Sequence, residues 1–167
     1  MKIPIQVEPN AGAASAVDYR WDPDTEILSA QLNPRAAGTG MSGSVELEGA
    51  DGSWLILDVS DGRINGVEVA VWPEVHLRSG LAVPGQVEEA QVAVPARKSQ
   101  TGVASLEVET LVHAESDADE RLFHFRLGKF RGTRTVRFAR DLMLDVDASN
   151  NLAGLWLLNV PPFPARM

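Results

Sequence analysis

Three side chains could take part in acid–base catalysis: Asp58, Asp145 and His124. Asp58 and Asp145 occupy matching positions in two similar stretches of the chain, each near the end of a predicted strand and beside a turn. Two carboxylates that face each other across a cleft could share proton-transfer work, with His124 as a third member. The simpler alternative is that each aspartate accepts backbone N–H bonds within its own hairpin turn.

A second group of side chains is basic and lies within residues 121–140. Twenty positions there carry seven of the chain's 15 basic side chains and no acidic one. Arginines and phenylalanines on one sheet face can stack bases and neutralise phosphates, but strand alternation puts Arg131 and Arg137 on one face and Arg134 on the other. Two alternatives remain open. The basic side chains could balance the charge of an acidic surface, either on the other half of the chain or on a partner protein, or they could form a solvent-exposed face without a binding role. We predict that a binding surface would use Arg131, Arg134 and Arg137, together with the exposed edge of Trp72.

Other kinds of chemistry lack the residues they need. The chain has no cysteine, which excludes disulfides and thiolate sites, and no serine lies in a Gly-x-Ser-x-Gly sequence. His76, His113 and His124 are not at metal-ligand spacing, so we predict no metal and no cofactor. The net charge of −8 argues against nucleic acid as a partner. It is uneven, since residues 1–86 hold 5 basic and 12 acidic side chains (−7) and residues 87–167 hold 10 and 11 (−1).

The elements that must position these groups are predicted to be β-strands. Turn signals recur roughly every ten residues, and the segments between them alternate apolar and polar side chains. Strands 53–59 and 64–72 should form one hairpin and strands 141–147 and 152–160 another, with Asp-Gly and Asn-Asn turns that tolerate left-handed backbone. Further strands are predicted at 3–8, 16–21, 26–32, 43–48, 86–94, 103–113, 121–128 and 133–139, and short helices are possible at 73–77 and 115–119.

The two hairpins belong to a longer internal match. Residues 22–32 resemble 117–127 at an offset of 95, and residues 55–59 resemble 142–146 at an offset of 87. Matched blocks in the same order predict an internal duplication. We therefore predict an all-β protein in which two antiparallel meanders, residues 1–86 and 87–167, pack as a pseudo-twofold sandwich or partly open barrel. Units of this size bury little surface alone, so they should share one core.

The repeated pattern resembles that of a known family. The first copy reads Asp22 to Leu32 and then Leu57-Asp58-Val59-Ser60-Asp61-Gly62-Arg63-Ile64-Asn65-Gly66-Val67-Glu68-Val69, and the second copy keeps Leu144-Asp145-Val146-Asp147 and Gly154. This is similar to the small bacterial proteins grouped as the domain of unknown function DUF2283. The second copy departs from it where Asn150-Asn151 replaces the turn glycine and Trp156 replaces the glutamate. The resemblance implies a compact antiparallel meander used in tandem, and it brings no activity or catalytic residue.

The function expected from these observations is binding rather than catalysis, in a non-catalytic binding or protein-interaction module. The alternative is a small-molecule binder or hydrolytic enzyme whose site lies in the cleft between the repeats, with Asp58, Asp145 and His124. Strand 152–160 is apolar on both faces, so both must be covered, by the other sheet or by a second subunit in a homodimer. We expect a cytoplasmic protein that does not enter the membrane, because no apolar run approaches the ~20 residues of a membrane helix.

Overall fold

The computed structural model of the protein describes residues 3–8, 15–35, 42–95 and 103–164. Within these ranges the chain forms 15 β-strands and no helix, which confirms the all-β prediction. The described residues accordingly include no helix that could cross a membrane. The strands are β1 (Gln6–Glu8), β2 (Ala16–Trp21), β3 (Leu28–Asn33), β4 (Ser42–Gly49), β5 (Trp54–Ser60), β6 (Arg63–Val71), β7 (Val75–Leu77), β8 (Val87–Glu89), β9 (Gln91–Ala93), β10 (Val103–Thr110), β11 (Val112–Ser116), β12 (Phe123–Leu127), β13 (Thr133–Ala139), β14 (Leu142–Asp147) and β15 (Leu152–Leu157).

The strands are arranged in two sheets. The first sheet has eight strands in the order β1-β9-β6-β5-β4-β10, with β3 added beside β6 and β2 beside β3. The second has seven strands in the order β7-β11-β12-β15-β14-β13-β8. One of the two sheets curls into a half-barrel, in agreement with the predicted partly open architecture.

Each sheet contains a five-strand antiparallel unit with the same pairing order. The order is β2-β3-β6-β5-β4 in the first sheet and β11-β12-β15-β14-β13 in the second. The registers also correspond: Leu28 pairs with Val69, and Phe123 pairs with Leu157. These partners stand at the offsets of 95 and 88 found between the sequence blocks. Common ancestry of the units stays a prediction, but the shared pairing lets their residues be compared position by position.

A β-bulge occupies the same place in the β5–β6 and β14–β15 hairpins. In the first unit the register slips by one residue after Asp58 pairs with Gly66. In the second it slips after Asp145 pairs with Gly154. A bulge increases the local twist and re-aims the neighbouring side chains, so each aspartate lies where the strand geometry changes.

The hairpin turns have the predicted chemistry. Asp61 and Gly62 join β5 to β6 with φ of 52° and 79°, and Asn150 lies in the β14–β15 turn with φ of 60°. All three values lie in the left-handed region, which glycine, asparagine and aspartate adopt more readily than other residues. The substitution of Asn for Gly between the two hairpins therefore keeps the turn.

Two predicted strands are each divided by a single residue. The predicted strand 86–94 is β8 and β9 with Ala90 between them, and the predicted strand 103–113 is β10 and the start of β11 with Leu111 between them. In both cases the two pieces belong to different sheets. The break is therefore the point at which the chain passes between sheets, which a continuous apolar–polar alternation does not reveal.

The two predicted units exchange short segments. β7 of the first unit pairs in parallel with β11 in the second sheet, and β10 of the second unit pairs in parallel with β4 in the first sheet. The helices considered at 73–77 and 115–119 are therefore wrong, because residues 75–77 and 115–116 pair as strands and residues 118–119 form a turn. Near the end of the chain, residues 161–164 lie against β2, where Trp21 Nε1 donates to the Pro161 carbonyl at 2.8 Å. The boundary predicted between residues 86 and 87 therefore separates the matched sequence blocks but not the two sheets, because strands from either side of it pair in the sheet of the other unit.

One hydrophobic core joins the two units. Buried side chains from both, including Leu55 and Leu57 of the first and Phe125 and Leu144 of the second, belong to a single cluster. Because successive side chains of a strand point to opposite faces, the polar residues that alternate with these leucines point away from the core. The outward faces of the two sheets are therefore the places where polar groups collect.

Candidate functional site

The carboxylates predicted to face each other lie on different sheets. The strand neighbours of each aspartate are buried in the common core, so Asp58 points outward from the first sheet and Asp145 outward from the second. Asp58 Oδ2 accepts a bond from Arg35 Nη2 at 3.2 Å, and the two aspartates line different pockets. The predicted cleft of Asp58, Asp145 and His124 is therefore not assembled, because the equivalent faces of two packed sheets point in opposite directions.

The structure does bring His124 and Asp145 together. His124 Nε2 lies 2.7 Å from Asp145 Oδ2. The other carboxylate oxygen accepts bonds from Thr135 Oγ1 at 2.8 Å and from Trp156 Nε1 at 3.1 Å. The His124 ring stacks on Trp156, with the ring centroids 4.0 Å apart. Side chains, rather than the turn N–H groups of the simpler alternative, therefore satisfy the Asp145 carboxylate.

Gly154 makes this arrangement possible. A Cβ added to Gly154 would lie 2.5 Å from Asp145 Oδ2 and 3.0 Å from the Phe125 carbonyl oxygen. The carboxylate thus occupies the space above Gly154 and reaches across it to the next strand. At the corresponding Gly66, the added Cβ would meet the Cβ of Asp58 at 3.4 Å, and no oxygen of the Asp58 carboxylate would lie closer than 3.7 Å. The two units therefore use the same aspartate–glycine pair differently.

The His124–Asp145 pair opens on a groove of about 950 Å³. Residues 84–88 form part of the groove wall and lie near Trp156. They comprise the start of β8 and the end of the connection that leads to it from β7, at the opposite edge of the second sheet. The second apolar face of β15 is thus covered in part by the chain itself, an arrangement that the sequence did not suggest. A histidine held by a carboxylate can accept a proton from water or a ligand. No serine or cysteine lines the described groove, and the Thr135 hydroxyl is already donated to Asp145.

Arg131, the first of the three arginines predicted for binding, is hydrogen-bonded within the chain. Its Nε donates to Asp147 Oδ2 at 3.0 Å, and its Nη1 donates to the carbonyls of Leu127 at 2.8 Å and Lys129 at 2.9 Å. Its Nη2 donates to the Leu152 carbonyl at 3.2 Å. These bonds join the β12–β13 turn to the β14–β15 hairpin. Four of its five N–H donors are thus used inside the chain, which leaves one for a phosphate or a partner carboxylate.

Arg134 and Arg137 lie in separate environments on β13. Arg134 is half exposed, and its Nη1 donates to Glu88 Oε2 at 2.9 Å. Arg137 lies opposite Met143, and its Nε is buried without a hydrogen-bond partner among the described residues. Strand alternation separates the two side chains, as predicted. The three arginines therefore form no common patch that could act as one binding surface.

The Asp147 carboxylate makes the second hairpin sensitive to acid. Burial alone would raise the pKa of Asp147, but hydrogen bonds from the Asn151 N–H, the Arg131 guanidinium and the Ser149 N–H outweigh it and hold the pKa below its usual range. A lowered folded-state pKa contributes stability that is complete above the unfolded-state value of about 3.9 and is lost as the pH falls through the folded-state value. We expect Asp147→Asn to lower the free energy of unfolding at pH 7 by about 1–2 kcal/mol. The free energy of unfolding of the Asp147→Asn variant should also decline less than that of the wild type as the pH falls below about 4.

Urea denaturation at a series of pH values measures both effects. Asp24→Asn, at an exposed turn residue, is the control and should follow the wild-type curve closely. An Asp147→Asn curve parallel to the wild type down to low pH would show that the charge of this carboxylate does not contribute to stability.

A pocket of about 530 Å³ lies where the two units meet. Its aromatic walls are formed by Trp21 and Trp72 of the first unit and by Phe123 and Phe163 of the second. We call it the aromatic pocket. Trp72 lies in the short link between β6 and the exchanged β7, and Phe163 lies in the segment that packs against β2, so the pocket exists because the units exchange these segments.

The side chains of the walls hold one another in place. The Trp21 and Trp72 rings stack with centroids 5.6 Å apart, Phe163 meets Trp21 edge-on at 5.1 Å, and Phe123 packs on Trp72 at 5.2 Å. Both indole N–H groups donate to backbone carbonyl oxygens at 2.8 Å. Among the residues predicted for binding, Trp72 is therefore the one that lies in this pocket.

Tyr19 anchors the C-terminal segment beside the pocket. Its hydroxyl donates to the Leu158 carbonyl at 2.8 Å and lies 3.2 Å from the Asp141 carbonyl. Burial, with a further effect from the Asp141 charge, raises the pKa of Tyr19 far above its usual value. The hydroxyl consequently stays protonated and remains a donor, which fixes β2 to the chain that leads to Phe163.

Three carboxylates stand at the rim of the aromatic pocket: Glu26, Asp119 and Glu120. All three residues are exposed, and none forms an ion pair within the described part of the chain. Glu26 and Glu120 lie in the corresponding β2–β3 and β11–β12 turns, and both have left-handed backbone, with φ of 62° and 55°. This conformation is uncommon and strained for glutamate. The pocket thus combines aromatic walls with a negatively charged rim.

Sequence reasoning missed most of this pocket. A signal was present, because Trp21 directly precedes the Asp22-Pro23 turn and Phe163 lies between two prolines, where a core side chain is not expected. However, which turn meets which chain end depends on the exchange of segments between the units. Periodicity and turn chemistry describe local structure and carry no information on that exchange.

The described residues contain no group of three or more His, Cys, Asp or Glu side chains that could hold a metal ion. Comparison of the chain with models of known protein families gives no match, and comparison with curated proteins gives none either. The resemblance to DUF2283 therefore stays a prediction. The function has to be inferred from the sites themselves, of which the aromatic pocket and the His124–Asp145 groove are the two with defined chemistry.

Proposed function

We propose that this protein is a non-catalytic binding module that holds its ligand in the aromatic pocket between the two units. The observation that carries the proposal is the fixed Trp21–Trp72 pair, whose rings stack and whose N–H groups are already hydrogen-bonded to the backbone. A wall that is ordered before the ligand arrives spares the conformational entropy of ordering it on binding. A volume of about 530 Å³ also lies within the range of pockets that hold small organic ligands.

Hydrolysis at the His124–Asp145 pair is the competing function. The 2.7 Å bond between these residues favours it, because a carboxylate that orients an imidazole is a common part of a general base. Two features weigh against it. The Asp145 carboxylate also accepts bonds from Thr135 and Trp156, and the described groove has no serine or cysteine to serve as nucleophile.

Loss of the Trp72 ring should weaken binding in the aromatic pocket. The neutral fluorescent probe N-phenyl-1-naphthylamine offers aromatic surface without charge, and we expect its emission to rise when it binds the wild-type protein. Trp72→Ala should raise the dissociation constant at least tenfold, about 1.4 kcal/mol, because the ring supplies one wall of the pocket. Leu77→Ala, at a residue 66% exposed that also lines the pocket, should have a smaller effect in the same direction.

Trp54→Ala is the matched control, since Trp54 is 40% exposed and lies outside the aromatic pocket. It should bind the probe as the wild type does. Circular dichroism melts would verify that each variant folds. Probe binding that survives both Trp72→Ala and Leu77→Ala would contradict the proposal, and ester hydrolysis abolished by His124→Gln would favour the competing function.

A further inference from the structure

We propose that the aromatic pocket selects an organic cation with a quaternary ammonium head group. This inference rests on the proposed function, since it names the ligand class of the same site. It is carried by three properties of the lining side chains: their lack of free hydrogen-bond donors, their charge and their aromatic surface.

The lining side chains have no donor left for a ligand. The indole N–H groups of Trp21 and Trp72 are given to the Pro161 and Glu26 carbonyls. The Ser116 hydroxyl is given to the Asp117 carbonyl at 3.2 Å. An anionic ligand, or one rich in acceptor atoms, would therefore lose hydrogen bonds to water and regain none from these side chains.

The charge of the pocket has one sign. Glu26, Asp119 and Glu120 contribute three carboxylates to the lining, and no basic residue belongs to it. Three arginines are adjacent in sequence to lining residues. Arg78 Nη1 pairs with Glu115 Oε2 at 3.1 Å, Arg121 Nε donates to the Val160 carbonyl at 3.2 Å, and Arg20 alternates with Trp21 and so points to the other face of β2. No rim carboxylate forms an ion pair with a described residue, so the lining itself carries a net negative charge, which attracts cations.

The aromatic walls favour a methylated cation over a primary ammonium. A quaternary ammonium has no N–H groups, so it needs no acceptors inside the pocket and gives up only weak hydration when it enters. Its diffuse charge is attracted by the faces of aromatic rings, with tryptophan the most effective. A primary ammonium would find its side-chain acceptors at the rim, in the three carboxylates, because the Trp21, Trp72 and Phe123 side chains that form the walls supply none.

Isothermal titration calorimetry with a matched pair of ligands tests this selection. Choline carries the quaternary ammonium, and 3,3-dimethylbutan-1-ol is its neutral isostere with carbon in place of nitrogen. We expect choline to bind the 167-residue chain at least tenfold more tightly than the isostere. The ratio should fall in about 1 M salt, where the Debye length is about 3 Å.

The combined variant Glu26→Gln, Asp119→Asn and Glu120→Gln should weaken choline binding about tenfold and leave the isostere unchanged. The control removes the same number of charges elsewhere, as Glu46→Gln, Glu48→Gln and Glu107→Gln on the outward face of β4 and β10, and should retain choline binding. Each of these substitutions replaces a carboxylate by its isosteric amide.

Four results would overturn the inference. Equal affinity for choline and the isostere, or probe binding without choline binding, would remove the cation selectivity and leave the proposed function standing. Tighter binding of Nα-acetyl-lysinamide than of choline would assign the pocket to a lysine side chain of a partner protein. Failure of choline, the isostere and N-phenyl-1-naphthylamine alike would remove the proposed function as well.

Discussion

Gly154→Ala is expected to destabilise the protein by about 3 kcal/mol, although it adds a single methyl group. The new Cβ would lie 2.5 Å from Asp145 Oδ2 and 3.0 Å from the Phe125 carbonyl oxygen, so the carboxylate has to move. When it moves, the Thr135 hydroxyl, the Trp156 N–H and the His124 ring lose an acceptor in a place that water scarcely reaches. The cost therefore combines overpacking with unmade hydrogen bonds. Urea denaturation at neutral pH measures it.

Two other glycines calibrate this result. Gly66→Ala occupies the same position in the first unit, where the Ala30 carbonyl lies at 3.0 Å but no carboxylate oxygen is near, so we expect about half the effect. Gly132→Ala places its Cβ where nothing lies within 4 Å, and it should be neutral within about 0.5 kcal/mol. Equal losses for Gly154→Ala and Gly66→Ala would mean that the Asp145 carboxylate does not depend on the space above Gly154.

Much of the fold follows from local sequence features. The hairpin β5–β6 shows why: β5 alternates buried and outward residues along its length, β6 does so from Val67 onward, and Asp61-Gly62 supplies the left-handed turn that joins them. The matched blocks likewise predicted that Asp58 and Asp145 occupy the same structural position, which their identical pairing with a glycine bears out. These properties depend only on residues close in sequence, where strand period and turn chemistry are informative.

The sites depend on contacts that the local pattern does not contain. Equivalence between Asp58 and Asp145 suggested that they meet, whereas packing two similar sheets face to face turns the equivalent outward faces apart. The basic run around Arg131 suggested a binding surface, whereas carbonyls at two chain turns lie within reach of that guanidinium. Local sequence shows which groups are present. Whether a group is free or already bonded is decided by the tertiary structure.

The divergence of the two units follows the same logic. Where the second unit has His124, Trp156 and Thr135 around its aspartate, the paired positions around Asp58 in the first unit are Ser29, Glu68 and Ser44. Small or acidic side chains cannot form the stacked, hydrogen-bonded cluster of the second unit. The shared backbone is thus compatible with two different outward surfaces, and only one of them buries its carboxylate.

Leu57→Ala and Leu144→Ala are each expected to destabilise the whole protein by about 3 kcal/mol, within one cooperative transition. Both side chains are fully buried, they occupy corresponding positions on β5 and β14, and they belong to the same core cluster. Removing three carbon atoms from either one leaves a cavity in that common core. Differential scanning calorimetry should show a single peak in each variant, lowered by roughly 6–12 °C for a chain of this size.

Whether each variant lowers one common transition or only the transition of its own unit distinguishes a shared core from two independent cores. If residues 1–86 and 87–167 folded separately, the protein would show two transitions. Leu57→Ala would then lower the melting temperature of residues 1–86 alone, and Leu144→Ala that of residues 87–167 alone. The exchange of β7 and β10 between the sheets argues for a single transition, because unfolding either unit removes a strand from the sheet of the other. Leu111→Ala, at a residue 59% exposed beside the same strands, is the control and should shift the peak little. A single peak that moves equally for both core variants would show that the aromatic pocket is set in one cooperative structure, so that loosening either unit also loosens its walls.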